Sequence, residues 1–177
     1  LLCFRSDRTE YVHACTQGVP VKYICNSFLG FHTKDLVRKV GKVLSLRSTP
    51  SHIYPIPLVP VEYAPYGGFF VHRSWIDRIG LPNEQFYLYG DDHEFTSRIT
   101  KLGGRIYLCH DAQVSDLEVT WSHKHMQAFE SPVNDERRIY YTLRNRVWFE
   151  KSRVTSTLVY TFNALTYLIY LLLLNLV

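Results

Sequence analysis

Apolar positions along this chain fall into short clusters, each with its own period, separated by turn residues. Residues 1–4 (LLCF) form a brief apolar run with no turn or cap before it. The chain therefore reads as starting inside a domain, and a cut N-terminus is expected. Residues 4–17 are polar and mixed, which predicts a loop with some strand. Residues 19–31 are apolar and aromatic. Thr33 stands as a helix cap, and Leu36, Val37, Val40, Val43 and Leu44 then recur at helical spacing. Four prolines (Pro50, Pro55, Pro57 and Pro60) make 45–60 an extended loop. Pro65, Tyr66, Gly67 and Gly68 then form a tight turn leading into a short buried strand at 68–71. Residues 74–80 predict a short helix ending at Gly80.

Farther on, 91–102 predicts a helix closed by Gly103 and Gly104, 105–109 a strand, and 114–119 another strand. Residues 134–151 form a basic helix with Ile139, Tyr140, Leu143, Val147 and Trp148 as its apolar stripe. Alternation of strands and helices points to an α/β domain. From Val154 to Val177 the chain carries no charge, and about 20 apolar residues span a bilayer core. This segment is the expected transmembrane helix, with Thr155, Ser156, Thr157, Asn163 and Asn175 as its polar positions. The domain division is thus 1–150 for the α/β part and 154–177 for the membrane helix.

Charge changes the picture only near that helix. The net charge is +4, from 20 Lys and Arg against 16 Asp and Glu. Arg137, Arg138, Arg144, Arg146, Lys151 and Arg153 cluster just before the apolar segment. Nucleic acid is one partner for such a cluster, but the apolar stretch beside it favours anionic lipid headgroups. It also places that flank, and the soluble part, on the cytoplasmic side of a membrane. The expected partners thus include a membrane and no nucleic acid. The four cysteines show no CxxC spacing and read as free thiols.

The segment FYLYGDDHEFTSRI at 86–99 concentrates candidate chemistry. Asp91 and Glu94 have the spacing of a capping box. Phe95, Ile99 and Leu102 share an apolar face, and Arg98 sits one turn after Glu94. Asp92 has no comparable structural duty and would sit at the first helical position, where the helix dipole favours its charge. A carboxylate there, beside Phe86, Tyr87 and Tyr89, suits removal of a proton from a sugar hydroxyl, because sugars stack on aromatic faces through their C–H groups.

A series of motifs surrounds it. Gly67-Gly68, Arg73, Ile79-Gly80-Leu81, Asn83-Glu84-Gln85-Phe86, Tyr89-Gly90-Asp91-Asp92-His93-Glu94, Arg98, Gly103-Gly104 and Ile106-Tyr107-Leu108 follow in order. Tyr140-Tyr141-Thr142-Leu143-Arg144-Asn145 comes later. Together these resemble family 2 glycosyltransferases, inverting enzymes of the GT-A fold that use nucleotide-sugar donors. The likeness spans roughly 60–150 and looks closest to galactofuranosyl- and rhamnosyltransferase-like members. It implies that 1–150 is the acceptor-side, C-terminal part of a GT-A domain. It also implies that Asp92 is the general base, that Asp91 and Glu94 hold the acceptor or orient the helix, and that Tyr66, Gly67 and Gly68 let backbone approach a substrate. The partners implied are a nucleotide-sugar donor and a glycan or lipid-linked acceptor, and the cofactor a divalent cation, Mg²⁺ or Mn²⁺.

The chain departs from the family in places. It has no D-x-D, the motif that holds the cation on the diphosphate. Asp116 stands where many relatives have a metal-ligating His, so the resemblance makes it a metal candidate. The Q-x-x-R-W of processive polymerising members is absent. His123 and His125 form an H-x-H with no third ligand at a telling distance. His110 and Asp111 predict a strand-end turn, and Trp75 a core position. The alternative to an enzyme is a non-catalytic, membrane-tethered α/β module in which the acids only cap a helix.

Overall fold

A computed structural model describes residues 1–35, 54–115 and 136–174. They form two compact units, one from 1–23, 54–115 and 136–142, the other from 24–35 and 143–174.

The first unit is mixed α/β. Its three-stranded sheet has the order β1 (Leu2–Phe4), β3 (Ile106–Gln113), β2 (Leu58–Val61). β1 runs parallel to β3 and β2 antiparallel to it, with Leu2 and Val59 both opposite Leu108. Side chains alternate across a strand, so Leu2, Phe4, Val59, Val61, Ile106 and Leu108 all enter one core. Helix α1 (Thr9–Gln17) supplies Tyr11, Ala14 and Cys15 to that core, and α3 (Asp91–Lys101) supplies Phe95 and Ile99. Between them, α2 (Arg73–Ile79) contributes Ile79, with Trp75 packed against the cluster. The cysteines are free thiols.

Several local expectations change. Residues 9–17 are helical rather than loop, because Tyr11, Ala14 and Cys15 make a narrow buried stripe among polar neighbours. Leu58–Val61 is a strand despite Pro60, with alternating burial. A proline lacking its N–H is tolerated at a sheet margin, where β2 lies. Residues 68–71 make only a single bridge, Leu2 to Phe69, not a strand. β3 extends to Gln113, so His110 and Asp111 lie within it, and Val114 and Ser115 follow it. The expected helix at 36–44 and the residues Asp116, His123 and His125 lie outside the described residues.

In the second unit, Phe28 and Phe31 exchange backbone hydrogen bonds of 2.9 and 2.8 Å around Leu29 (φ 50°) and Gly30 (φ 80°). Positive φ at both central positions is the signature of a tight hairpin turn. The turn points its amides at Glu150, a fully buried carboxylate on α4 (Glu136–Lys151), which extends into this unit. Leu29 N–H and Gly30 N–H donate to it at 2.7 and 2.9 Å, and Arg146 Nε donates at 2.7 Å.

Asn26 receives the backbone N–H groups of Thr155 and Ser156 at 2.8 and 2.9 Å, ahead of α5 (Thr157–Leu174). Asn163, buried on α5, accepts from Thr33 N–H and Oγ1 and donates to Asn26 O. Thr33 is therefore not a cap; His32 Nδ1 accepts from Lys34 N–H instead. Phe28 and Phe31 pack around Tyr167, with centroids 5.9 and 5.5 Å away.

These contacts correct the expectation of a spanning helix at 154–177. Among the described residues no helix is long and apolar enough to cross a membrane. Thr155 and Ser156 precede the helix, and Asn163 is used inside its own unit.

Burial pushes the Glu150 carboxyl up from its ordinary value of 4.5, while Arg146 and the two turn amides pull it back. A carboxyl raised by folding holds its proton more tightly folded than unfolded. Its favourable contribution is therefore full below about pH 4.5 and declines as pH rises through the raised value. Glu150→Gln should remove that decline, so the wild type loses ground to the variant as denaturation is followed upward in pH. Glu150→Ala strips the acceptor from two amides and a guanidinium and should cost about 3–5 kcal/mol in the same experiment.

Candidate functional site

The acidic helix begins at a glycine. Gly90 is the N-cap of α3, with φ 78° and ψ −5°, and no side chain caps the helix. The capping box expected from Asp91 and Glu94 is therefore not formed. A carboxylate caps from an extended backbone, whereas this chain enters the helix through the left-handed region, which glycine adopts at little cost. Gly90 O instead accepts the first helical bond from Glu94 N–H at 3.0 Å. Asp91 and Asp92 occupy the first two helical positions, near the positive end of the helix dipole.

The three acids have different surroundings. Glu94 makes a two-pronged pair with Arg98, at 2.9 and 2.5 Å. Arg98 Nη1 also donates to Ile79 O and Leu81 O, both at 2.9 Å, tying α3 to the end of α2. Glu94 thus serves chiefly to position the helix. Asp92 accepts from the N–H of His93 at 2.7 Å. Asp91 lies near enough to Tyr66 for its charge to act on the phenol.

Tyr66 is brought to the acids by the segment that precedes it. Thr96 Oγ1 accepts from Ala64 N–H at 2.9 Å, and its hydroxyl lies 2.9 Å from Ala64 O and 2.7 Å from Asp92 O. Thr100 Oγ1 donates to Glu62 O at 2.8 Å. Tyr63 packs on the His93 ring at 4.5 Å, and Tyr66 meets the edge of Phe95 at 6.0 Å. Residues 62–66 are in this way laid along the face of α3. Burial of the phenol and the charges of Asp91, Asp92 and Glu94 all push Tyr66 above the usual tyrosine range. At neutral pH Tyr66 is a hydrogen-bond donor.

Tyr66 O accepts from Phe69 N–H at 3.1 Å, closing the turn at Gly67 and Gly68. Gly68 has φ 76°, and a Cβ there would come within 3.0 Å of Cys3 Cβ. At Gly67 a Cβ would overlap Arg5 Nη2, at 2.2 Å. The close approach at Gly67 is therefore made by the chain's own Arg5, a nearly buried guanidinium that the sequence reading missed. Its only signal is a cation directly after an apolar strand.

Of the aromatic wall, Phe86 is in the interior and cannot stack on a ligand, whereas Tyr87 is 79% exposed. Trp75 is packed on the core as expected. The arrangement gathers Tyr66, Asp91, Asp92 and Glu94. Among the described residues no group of three or more His, Cys, Asp or Glu side chains is placed to hold a metal ion.

Thr96→Val keeps the shape but leaves the Ala64 amide without its acceptor. It should destabilise the first unit by about 1–3 kcal/mol and speed hydrogen exchange at Ala64. Thr96→Ser, which keeps the hydroxyl, should protect that amide far better than Val.

Compared with known proteins, the chain matches no family model, no curated protein and no solved structure.

Proposed function

We propose that this chain carries the acceptor side of an inverting, GT-A-type glycosyltransferase of the family 2 kind. One observation carries the reading: residues 62–66 are bonded along α3 through Thr96 and Thr100, which brings Tyr66, from a motif far back in the sequence, onto Phe95 beside the acids of that helix. In this reading Asp92 is the base. The acceptor hydroxyl gives its proton to the Asp92 carboxylate as its oxygen attacks the anomeric carbon of the donor. The bond to the nucleoside diphosphate breaks on the opposite face, the diphosphate leaves with the electron pair, and the centre inverts. Placement and proton removal are the protein's contribution. Tyr66 and Asp91 orient the acceptor, and Glu94 holds the helix through Arg98.

The reading calls for a divalent cation on the diphosphate. The described residues do not fit one, because they offer no such cluster of donors; Asp116 is the residue the resemblance points to.

The second unit supports membrane association. Leu158, Phe162, Leu165, Ile169, Leu172 and Leu173 on α5 are all exposed, and Lys151 and Arg153 precede the helix. An 18-residue helix is about 27 Å long, slightly less than a bilayer core of about 30 Å. In this reading α5 lies in the headgroup region of the cytoplasmic leaflet, apolar residues inward. The partners are then a nucleotide sugar, a glycan or lipid-linked acceptor and the membrane, without nucleic acid.

Asp92→Asn should lower transfer from a panel of nucleotide sugars by about 10²–10⁴-fold in the intact protein with Mg²⁺ or Mn²⁺. Its stability should move by about 1 kcal/mol or less. Undiminished transfer by this variant would overturn the assignment. A protein with no transfer in either form, and only the small stability change, would be the non-catalytic tethered module.

A further inference from the structure

The loop leading into α3 and the first turns of α4 enclose an open cleft of about 390 Å³, lined by Tyr87, Glu136, Arg137, Tyr140 and Tyr141. All five belong to the first unit. The Tyr141 ring stands between the other two, with its centroid 5.1 Å from Tyr87 at 49° and 5.2 Å from Tyr140 at 75°. Such tilted geometries are favourable for aromatic pairs. Two of these rings nonetheless stay largely in water, Tyr87 at 79% and Tyr140 at 59% exposure. Exposed aromatic rings gathered around one concavity are a feature of ligand surfaces rather than of ordinary exteriors.

Tyr87 is also held there against its backbone preference. Its φ of 43° and ψ of −53° are costly for a residue with a Cβ, and Tyr89 follows at φ 67°. The Tyr87 N–H donates to Glu84 O at 3.1 Å, which pins the strained residue to the 3-10 turn Glu84–Phe86.

We propose that this cleft is a saccharide subsite, taking a sugar ring of the acceptor glycan against the tyrosine faces. As an acceptor subsite it rests on the glycosyltransferase reading above. The chemistry of the lining selects the class. A sugar presents an apolar C–H face to an aromatic ring and hydroxyls around its rim. Glu136 accepts from such hydroxyls, and Arg137 donates to them through its fixed fork. The opposite charges of this pair offset each other, so the cleft suits a neutral polyol better than a phosphate chain. Tyr87 leads directly into α3, which places the subsite and the proposed base on consecutive elements.

Binding of methyl β-D-galactofuranoside and methyl α-L-rhamnopyranoside to the intact protein tests the proposal. Saturation-transfer NMR would report contact with the rings, and titration the affinity. At least one glycoside should bind. Tyr87→Ala and Tyr140→Ala should each weaken it about tenfold or more, while Tyr140→Phe, which keeps the ring, stays near wild type. With a longer acceptor, Tyr140→Ala should raise KM and leave kcat nearly unchanged.

No binding of either glycoside by the wild type, or binding indifferent to both Ala variants, overturns the subsite. So does a proline-rich peptide that occupies the cleft in place of the sugars. Binding that depends on the tyrosines, in a protein that transfers nothing, keeps the saccharide site and sinks the enzyme reading. Transfer that needs Asp92 but ignores the tyrosines does the reverse.

Discussion

The Thr96 hydroxyl meets both polar groups of the Ala64 backbone and the carbonyl of Asp92. It has one proton and two lone pairs, so it accepts the Ala64 N–H while its proton is shared between two carbonyls. All of this occurs with Thr96 fully out of solvent, where an unmet backbone donor is expensive. The contact dictates how 62–66 lies along α3. Tyr63 on His93 and Tyr66 on Phe95, near Asp91, follow from that placement.

With the helix clamped on one side by Thr96 and on the other by Arg98, the acids fall into distinct roles. Glu94 spends its charge on Arg98, and through it holds the backbone at Ile79 and Leu81. Asp91 lies near a phenol that cannot ionise near neutral pH. The Asp92 carboxylate takes the adjacent His93 N–H, while its backbone carbonyl meets Thr96. This unequal division makes Asp92 the natural proton acceptor in the proposed reaction, while the strained loop at Tyr87 carries the proposed subsite.

The second unit is organised by buried polar groups. Glu150 gathers the two amides of a tight turn and a guanidinium, and Asn163 gathers Thr33 and Asn26. Burial of a charge is costly unless it is fully hydrogen-bonded, and here several donors converge on Glu150. The arrangement leaves leucines and phenylalanine of α5 outward, the exposed apolar face on which the proposed membrane association rests.

What the chain determined by itself was mostly local. Period and composition placed α2, α3, the first part of β3 and the uncharged C-terminal helix within a few residues, and the one-turn spacing of Glu94 and Arg98 named their pair. These depend on neighbours along the backbone, whose geometry a helix or strand imposes. Helix α1 escaped because its buried stripe is only three residues wide, and β2 because Pro60 marks a loop unless a sheet margin receives it. The cap at Gly90 depended on a backbone angle that residue identity permits but does not require. Contacts between distant segments were decided by tertiary packing alone. Arg5 beside Gly67, Tyr66 near Asp91, and the turn at 28–31 on Glu150 join positions tens of residues apart, and nothing in their local spacing encodes a partner. Desolvation selects such pairings, since each buried donor must find an acceptor once the core closes.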